Sequence, residues 1–223
     1  AAVKNYMVLA LSSRLSSKAV RFILNRFPSL RITPETASAV TDRAVATLEE
    51  ISGRPYFLWG HYLDPHWPYW PPAPWNGQFE TDPATPPPVY EELREGRVNI
   101  GEMIHHNQMP SSEVERLVSL YAGEVNFIDT EAGRLIEAVR SSSRGSPVII
   151  IFTSDHGESL GEHRYFFSHG DQVYQPSMRV PLIIQVPGND GHSIQSPVSL
   201  ADIAPTLLAI NGLQAWARAR QGR

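Results

Sequence analysis

Val148-Ile149-Ile150-Ile151-Phe152 offers water no polar face, and it runs straight into Thr153-Ser154-Asp155-His156-Gly157-Glu158. A β-branched run apolar at every position fits a strand buried on both faces, as parallel sheets require. Covering such a strand takes helices, and the sequence supplies them. Ser112-Glu113-Val114-Glu115 has the form of a capping box. From there Val114, Leu117, Tyr121, Val125, Ile128, Ala132, Leu135 and Val139 recur at spacings of three and four, which predicts seven turns of amphipathic helix. Ser141 to Gly145 ends it.

An earlier helix is predicted from Thr33-Pro34, with threonine as N-cap and proline in the first turn. Its apolar face is Ala37, Val40, Ala44, Leu48 and Ile51, and Gly53 closes it. Tyr56-Phe57-Leu58-Trp59 reads as a second buried strand, delivering His61, Asp64 and His66 at its end. Eight prolines between 68 and 88 exclude helix and central strand, so this stretch is a long surface loop. Val180 to Val186 reads as a further strand, and Asp202 to Ile210 as a last helix closed by Asn211-Gly212. Helices alternating with fully apolar strands argue for an α/β layered fold.

Composition narrows the function. Apolar residues make up 42% of the 223 and charged residues 19%, an ordinary globular balance. A net charge of -4 gives no electrostatic reason to expect a nucleic-acid partner. With no cysteine, disulfides and thiolate metal sites are excluded. No apolar run approaches the ~18 residues that would span a bilayer. Tyr6 to Leu11 only loosely imitates a signal peptide. The basic residues Arg14, Lys18, Arg21, Arg26 and Arg31 read as a solvated helix face rather than a membrane-binding one.

In open α/β sheets, ligands gather at the carboxyl ends of strands. Four of the eight histidines (His66, His156, His163 and His169) cluster around two such ends. Asp155 and His156, adjacent where a strand stops, can both reach one divalent cation, and Gly157 lets the backbone turn away. His66 and His169 form a second set, able to donate to an oxyanion or supply a proton near neutral pH. Glu158, Glu162 and Arg179 read as supporting or salt-bridging residues. Glu124 and Asp129 read as solvent-exposed or anchoring positions on the long helix.

Several segments taken together resemble the sulfatases of the alkaline-phosphatase superfamily. They are Pro55 to Trp59 through His66-Trp67-Pro68-Tyr69, Tyr121 to Val125 through Gly133-Arg134-Leu135, and Thr153 to His163 with Phe167-Ser168-His169-Gly170. Arg179-Val180-Pro181-Leu182-Ile183-Ile184 and Asp202-Ile203-Ala204-Pro205-Thr206-Leu207-Leu208 complete the series in the family's order. The resemblance implies a doubly wound, mostly parallel sheet flanked by helices, of which residues 33–213 would be the C-terminal part. Residues 1–32 would then be a basic helical segment and 214–223 an atypical tail.

By that resemblance Asp155 and His156 fall on two metal ligands. Calcium is the family's usual ion, while a histidine ligand leaves manganese or zinc open. His66 falls on the histidine that contacts the sulfate or phosphate group, His169 where many sulfatases place a lysine, and His163 among the substrate-binding residues. The family's nucleophile is a formylglycine made from Cys-x-Pro-x-Arg or Ser-x-Pro-x-Arg. Neither motif occurs here, so the nucleophile is expected outside this chain, which alone would not turn over. The implied substrate is a small-molecule or glycan sulfate ester, and the implied location periplasmic or extracellular. Phosphate or phosphonate ester hydrolysis, or phosphoethanolamine transfer, is the competing chemistry on the same scaffold. A non-catalytic scaffold descended from the enzyme is the competing class.

Overall fold

The computed structural model describes residues 36–51, 53–79 and 110–213. The predicted helix start at Thr33-Pro34, the basic segment of 1–32, the second half of the proline-rich stretch and the tail 214–223 lie outside them. The described residues fall into two compact units, one built from 36–79 and 111–142 and the other from 143–213.

In the first unit, helix α1 (Ala37–Glu50) begins three residues later than expected: Thr36, not Thr33, is its N-cap, with an extended backbone and a hydroxyl that accepts the Ala39 amide at 3.4 Å. Helix α2 (Ser111–Ser143) follows the predicted periodicity for 33 residues. Its N-cap is Pro110 and no side chain caps it, so the expected capping box at Ser112 is not formed. Starting one residue earlier moves Ser112 into the first turn, where its hydroxyl no longer precedes the helix. The left-handed Arg144 and then Gly145 end the helix.

Ala37, Phe127 and Ile128 form a core cluster against which Tyr62 and Trp75 pack. The Trp75 and Phe127 rings lie 5.0 Å apart. The proline-rich segment described here, 68–79, is a loop as expected, with one 3-10 turn at Trp75–Gly77. It presses on α2 so closely that a Cβ at Gly123 would lie 2.5 Å from the Trp75 carbonyl oxygen. The expected strand Tyr56–Trp59 is not formed. Among the described residues the segment has no ladder partner, and Phe57 and Trp59 are 78% and 74% exposed while Tyr56 and Leu58 are half-buried. That alternation keeps the strand's two-residue period without the hydrogen bonds that make a sheet.

In the second unit, β1 (Ile150–Thr153) pairs antiparallel with β4 (Leu182–Gln185), Ile151 opposite Ile184. A short hairpin, β2 (Ser159–Leu160) and β3 (Phe166–Ser168), lies between them in sequence. A single turn, α3 (Gln175–Met178), precedes β4. A 3-10 turn capped by Ser199 and Asp202 leads into α4 (Ile203–Ile210), which ends at Asn211-Gly212 as predicted. Both described strand pairs are antiparallel. Burial of β1 on both faces does not hold either, since Phe152 and Ile183 are exposed. A two-stranded ladder leaves the outer edge of each strand unpaired and cannot cover both faces.

Glu124 on α2 is buried and accepts the Trp70 amide at 2.6 Å, which ties the loop after His66 to the helix. Its second carboxyl oxygen and one oxygen of Asp64 are buried without hydrogen-bond partners. Burial pushes the Glu124 carboxyl up to about 8; the Trp70 bond opposes the shift and the neighbouring Asp64 carboxyl adds to it. A folded value above the unfolded one means that folding takes up a proton between about 4.5 and about 8. Stability therefore falls as pH rises through that window and is level above it. Thermal denaturation from pH 5 to pH 9 should show this decline. Glu124→Gln, which keeps an acceptor for Trp70 and offers Asp64 a donor, should flatten it and raise the melting temperature at pH 9. A variant as pH-dependent as the parent would remove Glu124 as the cause.

Candidate metal and oxyanion site

Strand β1 ends at Thr153, whose hydroxyl donates to the Pro181 carbonyl at 2.8 Å and fixes the strand end to the approach of β4. The chain then turns through Ser154, which donates to the His156 carbonyl at 2.5 Å, and the His156 amide donates to Asp155 Oδ1 at 3.0 Å. The Gly157 amide donates to Ser177 O at 2.8 Å. A Cβ on Gly157 would collide with the Pro176 carbonyl oxygen. The glycine is needed because another backbone occupies the place of a side chain.

These bonds decide how His156 is presented. Its Nδ1 lies 2.9 Å from the Gly157 carbonyl oxygen, which can only accept, so Nδ1 carries the hydrogen. In the neutral ring the lone pair is then on Nε2. That nitrogen faces Asp155 Oδ1 at 3.7 Å. Two donors bound to one ion at about 2.1 Å and at near-tetrahedral angles lie about 3.4 Å apart. The pair thus fits a shared divalent cation with a small adjustment. A backbone carbonyl holding the second nitrogen is the usual way a ligating histidine is oriented. Among the described residues no third His, Asp or Glu joins the two as a ligand group.

His169 follows β3 directly. The hairpin register pairs Ser159 with Ser168, so Glu158 and His169 stand side by side at its open end. His169 Nδ1 is 3.3 Å from Glu158 Oε1, and the His169 ring stacks on His156 with centroids 3.7 Å apart and planes 19° from parallel. Of the residues singled out from sequence, Asp155, His156 and His169 come together. His163 sits at the hairpin tip with a left-handed backbone (φ 56°), stacked on Tyr174 at 4.1 Å. His66 belongs to the first unit, in a turn where its amide donates to Leu63 O and its Nδ1 to Trp67 O at 2.6 Å. Glu162 closes the hairpin by accepting the Leu160 amide at 2.8 Å.

Glu158, expected as a supporting or salt-bridging residue, pairs with His169, a partner that the sequence does not indicate. Strands of two and three residues carry no periodicity to detect. Gly161 between Leu160 and Glu162 was the one available turn signal.

Gly157→Ala should destabilise the protein by roughly 1–3 kcal/mol, the usual range for overpacking. It should also weaken uptake of a divalent cation in a calorimetric titration. Unchanged stability and cation uptake would mean that the Pro176 backbone retreats freely and does not shape this turn.

The sulfatase family model matches residues 25–213. A sulfatase from Formosa agariphila is 31% identical over 174 residues, covering 74% of this chain and 34% of the relative. The multifunctional alkaline phosphatase superfamily protein PehA from Trinickia caryophylli is 28% identical, covering 75% of this chain and 36% of its own length. The chain therefore spans about a third of the length of these relatives. In structure it resembles the phosphonate monoester hydrolase of Silicibacter pomeroyi, with a TM-score of 0.63 and 28% identity over 80% of this chain and 38% of that one. A family match over most of its length, in the motif order seen above, makes this chain a member of the sulfatase family, within the alkaline phosphatase superfamily.

Proposed function

We propose that this chain supplies a divalent-cation site and oxyanion-binding groups to an enzyme that hydrolyses sulfate esters. The observation that carries the reading is the facing pair of Asp155 Oδ1 and His156 Nε2, with the histidine's other nitrogen bound to a backbone carbonyl. Asp155 and His156 are the proposed ligands. An imidazole ligand suits manganese or zinc, while calcium, the family's usual ion, prefers oxygen. When bound, the cation would draw negative charge from the oxygens of the transferring group.

The chain's own residues do the rest. His169, stacked on His156, is the proposed donor to a non-bridging oxygen, through Nε2–H of its imidazolium form, since Nδ1–H is held by Glu158. His66 is proposed as an oxyanion donor in its own right. Such donors accelerate the reaction only as far as they bind the transition state more tightly than the ester. His163 is the proposed outer substrate contact. The nucleophile, a formylglycine, and the strands that would complete a doubly wound sheet are assigned to the remainder of a longer protein. The exposed faces of Phe57, Trp59, Phe152 and Ile183 support that assignment. No helix among the described residues is long and apolar enough to cross a membrane. A location outside the cytoplasm belongs to the same proposal.

Likeness to a phosphonate monoester hydrolase favours phosphoryl or phosphonyl esters as the second reading. The complete protein should be offered aryl sulfate and aryl phosphate in parallel. Preference for the sulfate supports the first reading, and preference for the phosphate the second. Asp155→Ala should abolish divalent-cation uptake and lower turnover by about 100-fold or more. Full activity and unchanged cation binding in that variant would overturn the assignment.

A further inference from the structure

Glu158 is not among the proposed cation ligands, yet its side chain is only 5% exposed. The carboxylate lies at the open end of the β2–β3 hairpin, where the register brings it against His169. A buried carboxylate needs a donor. Here the His169 ring is that donor.

We propose that Glu158 is a positioning residue: it fixes the plane and the tautomer of His169, and through the ring stack sets His169 against the cation-binding His156. A carboxylate oxygen accepts, so the His169 nitrogen that faces it, Nδ1, carries the hydrogen. In the neutral ring this places the lone pair on Nε2, as the Gly157 carbonyl does for His156. The two imidazoles are thus held in the same tautomer by different means, one by a backbone oxygen and one by a side chain. With centroids 3.7 Å apart, a part-turn of the His169 ring would break its stack on His156. A full flip would keep the stack and is opposed by the hydrogen bond between Nδ1 and Glu158. Reading His169 as a group that meets substrate rests on the proposed function; the tautomer and the stack do not.

The test is nitrogen NMR of histidine-labelled protein, without added metal and at a pH where the ring is neutral. Wild-type His169 should show a protonated Nδ1 and an unprotonated Nε2. Glu158→Ala should lose that preference and populate the Nε2–H form. Glu158→Gln, whose amide oxygen still accepts, should restore it and guards against a variant that fails to fold. A wild-type ring protonated at Nε2, or a Glu158→Ala ring with its tautomer unchanged, would overturn the assignment whatever the enzyme's substrate.

In the complete enzyme, Glu158→Ala should lower kcat roughly 10- to 100-fold, the usual cost of removing an orienting partner. KM should change far less, and Glu158→Gln should recover most of the rate. Equal loss in both variants would point to a structural role and count against positioning. Absence of ester turnover in the wild-type enzyme would instead defeat the functional reading and leave the tautomer result standing.

Discussion

The space that a side chain would need at Gly157 is filled by the Pro176 carbonyl oxygen, and the second unit is organised around that approach. With the Gly157 amide bound to Ser177 O, the segment leaving β1 is pinned to the turn that leads into β4. Thr153 repeats the link one step earlier by donating to Pro181. The β1–β4 ladder and the turn holding Asp155 and His156 are therefore one construction. Once Gly157 is in place its own carbonyl meets His156 Nδ1, and the orientation of the imidazole follows from the fold of the backbone. An imidazole held this way is preorganised, because its free rotation is lost on folding.

The first unit solves a different problem. Its proline-rich loop contributes few backbone amides, so it cannot be held by a ladder. Packing holds it instead: Trp75 on Phe127, Tyr69 edge-on to Tyr121 at 5.3 Å, and backbone against Gly123 where α2 has no side chain. A buried polar tie, Glu124 to the Trp70 amide, adds to the packing. A carboxylate in that position is costly to ionise, and its neighbour Asp64 makes it more so. The loop carrying His66 is thus fastened by a carboxyl that burial keeps protonated against the pull of the Trp70 amide.

Long-period features were legible in the sequence. Helix α2 was read from eight apolar positions, and its observed core, including Leu117, Phe127 and Ile128, lies on the predicted stripe or beside it. The Asn211-Gly212 stop and the loop character of 68–79 followed from backbone preferences that no tertiary contact overrides. Asp155, His156 and His169 were singled out because a strand end and a resemblance pointed to the same residues. Glu158 was legible as a supporting residue but its partner was not, since a carboxylate beside a histidine across a five-residue strand pair leaves no periodic trace. Glu124 differs. Its helical position left solvent exposure and anchoring both open, and the arrival of the Trp70 loop makes it a buried anchor.

The misread strands have a common physical origin. Tyr56–Trp59 alternates in exposure as a strand does, and β1, β4 and α4 all carry apolar residues that stay exposed, Ile183 at 62% among them. Apolar patterning records how much surface must leave water, and it is silent about which residues do the covering. For α1 and α2 the covering residues lie within the same unit, so pattern and structure agree. For the extended segments the pattern asks for more cover than two-stranded ladders supply. An expectation of strands buried on both faces therefore fails here not because the strand residues are polar but because apolar patterning specifies the amount of cover and not its source.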